Sequence, residues 1–221
     1  MNKFTLKQIV LPFITAFILY LIWFGPINFR FLGNILASLV VFLASYIEYK
    51  RKGFSSLGFQ RKNLTLKNFF VLAPLVALVL FVSYVFVLLP LITKLTGVPV
   101  DVSSFDEIKG NFPTYIFTLL IVWVGSGFGE EIIFRGYFMR QFIKFFGEGK
   151  ISVALSIIVT TGVFGFMHIG QGITGQILSF VTGSLIALIF YFRKYDLWFV
   201  CSVHGFFNTI GLTCIYFGLQ L

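Results

Sequence analysis

The chain has 221 residues, of which 58% are hydrophobic, 19% aromatic and 11% charged, and its mean hydropathy is +0.95. This composition excludes a soluble globular domain and indicates a protein that crosses the membrane several times. The net charge of +9 is also found in nucleic-acid-binding proteins, but the basic residues lie in short connections between apolar runs. Membrane orientation explains them there, so we expect no nucleic-acid partner.

Apolar runs close to the roughly 20 residues that a spanning helix needs follow one another along the chain. They cover approximately residues 8–25, 31–47, 69–93, 114–134, 151–170, 173–192 and 197–219. We therefore predict an all-α polytopic transmembrane helical bundle of about seven spans, forming a single integral membrane domain over residues 1–221. Cys201 and Cys214 would lie roughly 20 Å apart on the last helix, too far for a disulfide.

The distribution of basic residues predicts the orientation of this bundle. Lys3 and Lys7 precede the first run, and no small-residue cleavage site follows it, so we interpret the run as a retained helix. With the N-terminus in the cytoplasm, thirteen of the 17 basic residues fall on inner connections. The outer connections receive Arg30, Lys94 and Lys109, which is the asymmetry of a cytoplasmic N-terminus.

Three short clusters place polar residues inside the predicted spans. They are GEEIIFRG (129–136), FGFMH (164–168) and HGFFN (204–208). Ionisable groups in spans are costly, and they mark either a functional interior or a pair that neutralises itself.

Helical spacing gives the two glutamates of the first cluster different environments. Glu131 and Arg135 are four residues apart and share a helix face, so they can form a buried pair. Glu130 is rotated by about 100° from that face. It is therefore the carboxylate free to enter a cavity, where it could act as a general base. The alternative is that all three form an inert ion network.

The other two clusters supply histidines and an amide. His204 and Asn208 share one face of the last span and could donate two hydrogen bonds to a developing oxyanion, or could form a polar contact between helices. His168 follows Phe164 by one turn, so its ring could rest on an aromatic shelf, or could be an ordinary core residue. Taken together, these side chains suffice to activate water and to stabilise a tetrahedral intermediate.

The three clusters fit the motifs EExxxR, FxxxH and HxxxN in order, and over residues 114–214 the chain resembles the CPBP (Abi) family of intramembrane proteases. This family includes CAAX proteases and bacteriocin-processing proteins. The resemblance implies that Glu130 activates water with help from His168, and that His204 and Asn208 form the oxyanion hole. Glu131, Arg135 and Phe164 would support them.

The resemblance also implies the substrate class and raises the question of a metal. The substrate would be a membrane-embedded or lipidated peptide, such as a CAAX-like tail, a bacteriocin leader or a pheromone precursor. Glu130, His168 and His204 could supply a zinc site with an open position for water. No HExxH motif is present, so we expect metal-free chemistry, with zinc as the alternative.

Two functions of other classes stay open. One is a non-catalytic membrane scaffold or immunity protein, and the other is a proton-coupled transporter, because buried ionisable residues also line proton paths. The compact connections favour a multi-pass protein of the bacterial cell membrane.

The depths of the histidines pose a problem for straight helices. His168 lies at the outer end of its predicted span, whereas His204 lies about seven residues from the inner end of its own. We therefore expect breaks or close helix approach at the glycines of GSGFGEE (125–131) and GFMHIGQGITG (165–175).

Overall fold

The computed structural model describes residues 5–27, 29 and 32–219, so Lys3 and Arg30 of the charge count lie outside the described residues. Within these ranges the chain is helical and contains no strand. The predicted all-α bundle is therefore confirmed. Cys201 and Cys214 are both free thiols, as their spacing predicted.

Seven long helices make up the described bundle. They are α1 (Leu6–Phe24), α2 (Gly33–Tyr49), α3 (Asn68–Thr96), α4 (Phe112–Phe146), α5 (Lys150–Met167), α6 (Gly172–Phe192) and α7 (Leu197–Tyr216). Short helical turns lie in the connections, at Lys50–Lys52, Gly53–Ser56, Arg61–Asn63, Ser103–Ile108 and Ile169–Gln171.

Six helices in the described part are long and apolar enough to cross a membrane, which makes this an integral membrane protein. The exception is α2, whose 17 residues fall short of that length. Its inner face buries Ala37, Val41 and Ala44 in the bundle core. The prediction of about seven spans thus corresponds to six spanning helices and one shorter helix packed among them.

The distribution of polar and apolar side chains fits a lipid environment. Large apolar side chains point outward, and Phe86, Leu95 and Ile151 are each at least 75% exposed. In contrast, Glu131 and Arg135 are completely buried. Because lipid solvates apolar groups and not charges, such a surface is stable in a bilayer.

Backbone and side-chain contacts collect the connections at two opposite ends of the bundle. At one end, Lys7 Nζ donates to the Ile47 carbonyl at 2.7 Å, and the Leu197 N–H donates to the Gly58 carbonyl at 3.2 Å. This end carries the described residues that the charge count places inside, and we call it the basic end. At the opposite end, the Asp101 N–H donates to the Gln171 carbonyl at 3.1 Å. This separation of the connections is compatible with a cytoplasmic N-terminus. The orientation in the membrane stays a prediction.

Asp196 begins α7 at the basic end. Its Oδ1 accepts a hydrogen bond from the Phe199 N–H at 3.2 Å and so caps the helix. Burial raises the pKa of this carboxyl group, and the Phe199 N–H and the nearby Arg193 lower it in part. The cap fixes where α7 starts, and thereby the depth at which its polar residues lie.

Helix α4 occupies the centre of the bundle and packs against α2, α5 and α7. Its backbone is wound as a π-helix over Trp123–Glu130 and Ile132–Met139, a departure from α-helical geometry that is frequent at functional sites. A Cβ placed on Gly127 would lie 3.1 Å from Gly205 Cα of α7, and one on Gly129 would lie 3.1 Å from the Asn34 carbonyl of α2. The predicted close approach at these glycines is confirmed, and the helix continues through them without a break.

The two histidines reach similar depths because α4 and α5 are shifted along the bundle axis relative to α7, and not because a helix bends sharply. Gly136 of α4 packs against Leu197, the first residue of α7, so α4 continues for ten residues, or roughly 15 Å, beyond the start of α7. The 18 residues of α5 then return by about 27 Å. His168 therefore lies about 12 Å past the start of α7, and His204, seven residues into α7, about 10 Å past it.

Candidate active site

The four predicted catalytic side chains line one cavity. This cavity of about 210 Å³ is bounded by Glu130, His168, His204 and Asn208, together with Phe164. Residues near the end opposite the basic end, including Phe105 and Gln171, also line it. The cavity therefore extends from the polar cluster toward that end, a direction that the sequence left undetermined.

The predicted pair between Glu131 and Arg135 is present and fully buried. Arg135 Nη1 donates to Glu131 Oε1 at 3.0 Å, and both side chains are 0% exposed. Arg135 Nη2 also donates to the Gly183 carbonyl at 2.7 Å, and the guanidinium lies 4.8 Å from the centre of the Phe164 ring. A buried ion pair is tolerated only when such further contacts compensate its desolvation.

Glu130 projects away from that pair, as the spacing predicted, but one of its oxygens is already held. Asn34 Nδ2 donates to Glu130 Oε1 at 2.9 Å, and the Ser126 hydroxyl donates to the same oxygen at 3.4 Å. The other oxygen, Oε2, lies 4.0 Å from His204 Nε2. The carboxylate is thus fixed on one side and open to the cavity on the other.

His204 makes a contact with Glu131 that the sequence did not predict. Its Nδ1 lies 2.8 Å from Glu131 Oε1, the same oxygen that Arg135 contacts. A carboxylate can only accept hydrogen bonds, so Nδ1 carries a proton and donates. This contact sets the tautomer of the neutral ring and leaves Nε2 as the nitrogen closest to Glu130.

Phe164 provides the aromatic shelf predicted for His168. The two rings lie 4.6 Å apart between centres, and the Phe164 ring is 6.4 Å from that of His204. His168 Nδ1 lies 2.8 Å from the Phe164 carbonyl, which can only accept, so this nitrogen donates. In the neutral ring, Nε2 of His168 is then free to accept a hydrogen bond from a water molecule.

Two residues that the sequence analysis missed complete the surroundings of Glu130. Trp23 Nε1 donates to Asn34 Oδ1 at 3.1 Å, and this bond turns the amide so that its Nδ2 faces Glu130. Both residues belong to the first two helices, outside the region that carries the motifs. Asn34 is one of few polar residues in its apolar run, and that is the signal that could have identified it.

The zinc site considered above is not assembled in the described part of the chain. Among the residues described, no three His, Cys, Asp or Glu side chains lie close enough together to hold a metal ion. Glu130 Oε1 is bonded to the Asn34 amide instead. We derive no step through a metal, and metal-free chemistry stays a prediction.

Comparison with known protein families is informative for this part of the chain. Residues 112–210 match the family model described as type II CAAX prenyl endopeptidase Rce1-like. No curated protein and no solved structure matches the chain. The matched region contains all three motifs. It begins after α1 and α2, the helices that supply Trp23 and Asn34.

We predict that the buried pair is needed for folding. Arg135→Met leaves the Glu131 charge buried without its partner and should lower the free energy of unfolding by about 3–5 kcal/mol. The double variant Glu131→Gln/Arg135→Met should recover part of this loss, because no uncompensated charge remains. Thermal unfolding of the detergent-purified variants measures both effects, with exposed Arg61→Met as the control. Equal destabilisation by the single and double variants would contradict the prediction.

Proposed function

We propose that the protein is an intramembrane endopeptidase, starting from the match of residues 112–210 to the type II CAAX prenyl endopeptidase Rce1-like family model. One observation carries the proposal: a carboxylate, two imidazoles and an amide from three helices line a single cavity inside the bundle. Glu130, His168, His204 and Asn208 are the residues to which we assign the chemistry.

Glu130 activates the attacking water in this proposal. Oε2 takes a proton from water while Asn34 holds Oε1, and the water oxygen adds to the carbonyl carbon of the scissile peptide bond. His168 accepts a hydrogen bond from the same water through Nε2, because its Nδ1 is bonded to the Phe164 carbonyl. The water is thus held between two side chains from α4 and α5.

His204 and Asn208 stabilise the negative charge that develops on the substrate oxygen. The amide of Asn208 donates one hydrogen bond, and Nε2 of His204 donates a second when the ring carries both protons. Glu131, which also pairs with Arg135, accepts from Nδ1 of that doubly protonated ring at 2.8 Å. Glu130 then delivers its proton to the leaving nitrogen as the C–N bond breaks, which gives a carboxyl and an amino product.

The walls of the cavity favour an apolar peptide as substrate. Beyond the polar cluster, the cavity is lined by Phe81, Tyr84, Phe105 and Phe207. Such walls accept the extended backbone of a membrane-embedded or lipidated segment and provide aromatic contacts for its side chains. A CAAX-like tail, a bacteriocin leader and a pheromone precursor of a bacterial cell membrane all meet this description.

The first prediction from the proposed mechanism concerns the general base. Glu130→Gln keeps the shape of the side chain and its contact with Asn34 but cannot take a proton, so cleavage should fall by at least about 10²-fold. The measurement compares membrane peptides by mass spectrometry in cells that express the wild-type chain or the variant. Glu107→Gln, which changes an exposed carboxylate in the loop, is the matched control.

Disappearance of specific products, with accumulation of their precursors, in Glu130→Gln alone would support proteolysis and would identify the substrate. Identical peptide profiles in all strains would instead favour a scaffold. If Glu130→Gln stopped movement of protons or solutes across vesicles without any change in peptides, the transporter would replace the protease.

A second prediction concerns Asn34, which we propose positions Glu130. Asn34→Leu removes a hydrogen bond to a charged group while keeping a similar volume, and kcat should fall about tenfold or more. KM should change little, because Asn34 contacts the base and not the cavity. Ser38→Ala, one turn further along α2 and bonded only to the Ile35 carbonyl, is the control. Equal kcat values for the wild type and Asn34→Leu would remove Asn34 from the mechanism and leave the protease assignment intact.

The third prediction concerns metal dependence. Because no group of three candidate metal ligands is found among the described residues, cleavage by the purified protein should survive treatment with EDTA and phenanthroline. A zinc protease treated in parallel shows that the chelators are active. Loss of cleavage that added zinc restores would overturn the metal-free mechanism.

A further inference from the structure

A second cavity lies at the basic end of the molecule. It has a volume of about 370 Å³, lies where α2 and α4 meet the connection from α6 to α7, and shares no lining residue with the catalytic cavity. Polar side chains in its walls include Ser45, Tyr49, Ser56, Arg140, Lys144 and Tyr195, beside the apolar Leu57 and Ile143. Neither the motifs nor the proposed mechanism uses it.

Lys144 and Arg140 are the two cations that line this cavity, and they differ in the groups that neutralise their charges. Lys144 Nζ lies 2.6 Å from Glu48 Oε1, whose side chain is 1% exposed, and also donates to Gln141 Oε1 at 2.7 Å. By contrast, the guanidinium of Arg140 forms no hydrogen bond or ion pair with any residue that the structure describes. Its contact is with the ring of Tyr195, 4.9 Å away. Glu148, at the rim, is exposed and forms no ion pair within the same ranges.

This arrangement leaves Arg140 with five N–H donors and no acceptor in a half-buried position. A polar group removed from bulk water costs free energy until it finds a partner. A planar, bidentate acceptor such as a phosphate group matches the geometry of a guanidinium. The cavity is large enough to admit such a group beside Arg140.

The backbone that carries Tyr195 is held in an uncommon conformation. Lys194 and Tyr195 have φ angles of 55° and 62°, in the left-handed region that side chains rarely occupy. The carbonyl of Tyr195 packs on Gly58, where an added Cβ would lie 2.5 Å from it. Strained residues of this kind persist where the surrounding structure holds them, often at binding sites. The Tyr195 backbone is packed on Gly58, and its ring lies against Arg140.

The cavity lies at the end of the spanning helices, where lipid phosphates would be found. Arg140 follows Gly136 by four residues and so lies about 6 Å beyond the level at which α7 begins. Tyr49, Tyr137 and Tyr195 surround it, and tyrosine is enriched where the bilayer meets water. Basic pockets between transmembrane helices on the cytoplasmic side are known to hold anionic head groups.

We propose that the cavity at Arg140 binds a phosphate-bearing anion, and that its depth favours the head group of an anionic phospholipid. The guanidinium would donate to two phosphate oxygens while it rests against the Tyr195 ring. A free phosphate would use the same contacts, so experiment must separate the two sources. The site is independent of the proteolytic reaction.

Native mass spectrometry of the full chain provides the test. Wild type, Arg140→Gln, Arg140→Lys and the control Arg61→Gln are purified from detergent and incubated with phosphatidylglycerol, with phosphatidylcholine, or with inorganic phosphate. Arg61 is an exposed basic residue at the same end of the molecule and does not line the cavity. We expect the wild type and Arg61→Gln to retain phosphatidylglycerol at least about tenfold more tightly than Arg140→Gln, because one lost charge-assisted hydrogen bond supplies about that factor and the variant loses two.

Each outcome has a defined meaning. Arg140→Lys should bind with intermediate strength, because it keeps the charge and loses the bidentate contact, and it also shows whether loss in Arg140→Gln reflects misfolding. Displacement of phosphatidylglycerol by inorganic phosphate at low millimolar concentration would assign the site to a soluble phosphate. Equal lipid retention by all four proteins, or equal binding of phosphatidylcholine and phosphatidylglycerol by the wild type, would overturn the proposal.

Discussion

The buried contact between Glu131 and Arg135 is the interaction on which the rest of the site depends. Both groups are removed from water, so each requires the other, and each also forms a hydrogen bond with a neighbouring helix. Arg135 reaches the Gly183 carbonyl of α6, and Glu131 reaches His204 of α7. A single pair on α4 therefore joins three helices. It also determines which nitrogen of His204 faces the cavity, so one contact links folding to the chemistry.

Glu130, next to this pair in sequence, shows how the same bundle keeps a carboxylate usable. Glu131 is 0% exposed and contacts both Arg135 and His204, whereas Glu130 is 9% exposed and accepts hydrogen bonds from a neutral amide and a hydroxyl on one oxygen. The two neighbouring residues thus have the same chemical group and different environments. This division between a compensated and an available carboxylate is what general base catalysis in a membrane interior requires.

The axial displacement of the α4–α5 hairpin gives the molecule its two separate cavities. Because α4 extends roughly 15 Å beyond the start of α7, α5 ends at the depth of His204, and His168 lines the same cavity as His204. The same extension carries Arg140 beyond the start of α7, beside Tyr195. One feature of the architecture therefore positions the proposed catalytic cluster inside the bundle and the Arg140 cavity at its basic end.

The sequence by itself determined the helical membrane fold, the Glu131–Arg135 pair and the side on which Glu130 projects. These features follow from hydropathy and from helical spacing, which act within about one turn of a single helix. Only the tertiary structure decided that Asn34 holds Glu130, that Glu131 binds His204 and that His168 reaches the depth of His204. Asn34 and Glu130 are 96 residues apart. The two histidines line one cavity because whole helices are shifted along the bundle axis relative to each other. Such relations depend on how helices pack against each other, and no local pattern in the sequence records that packing.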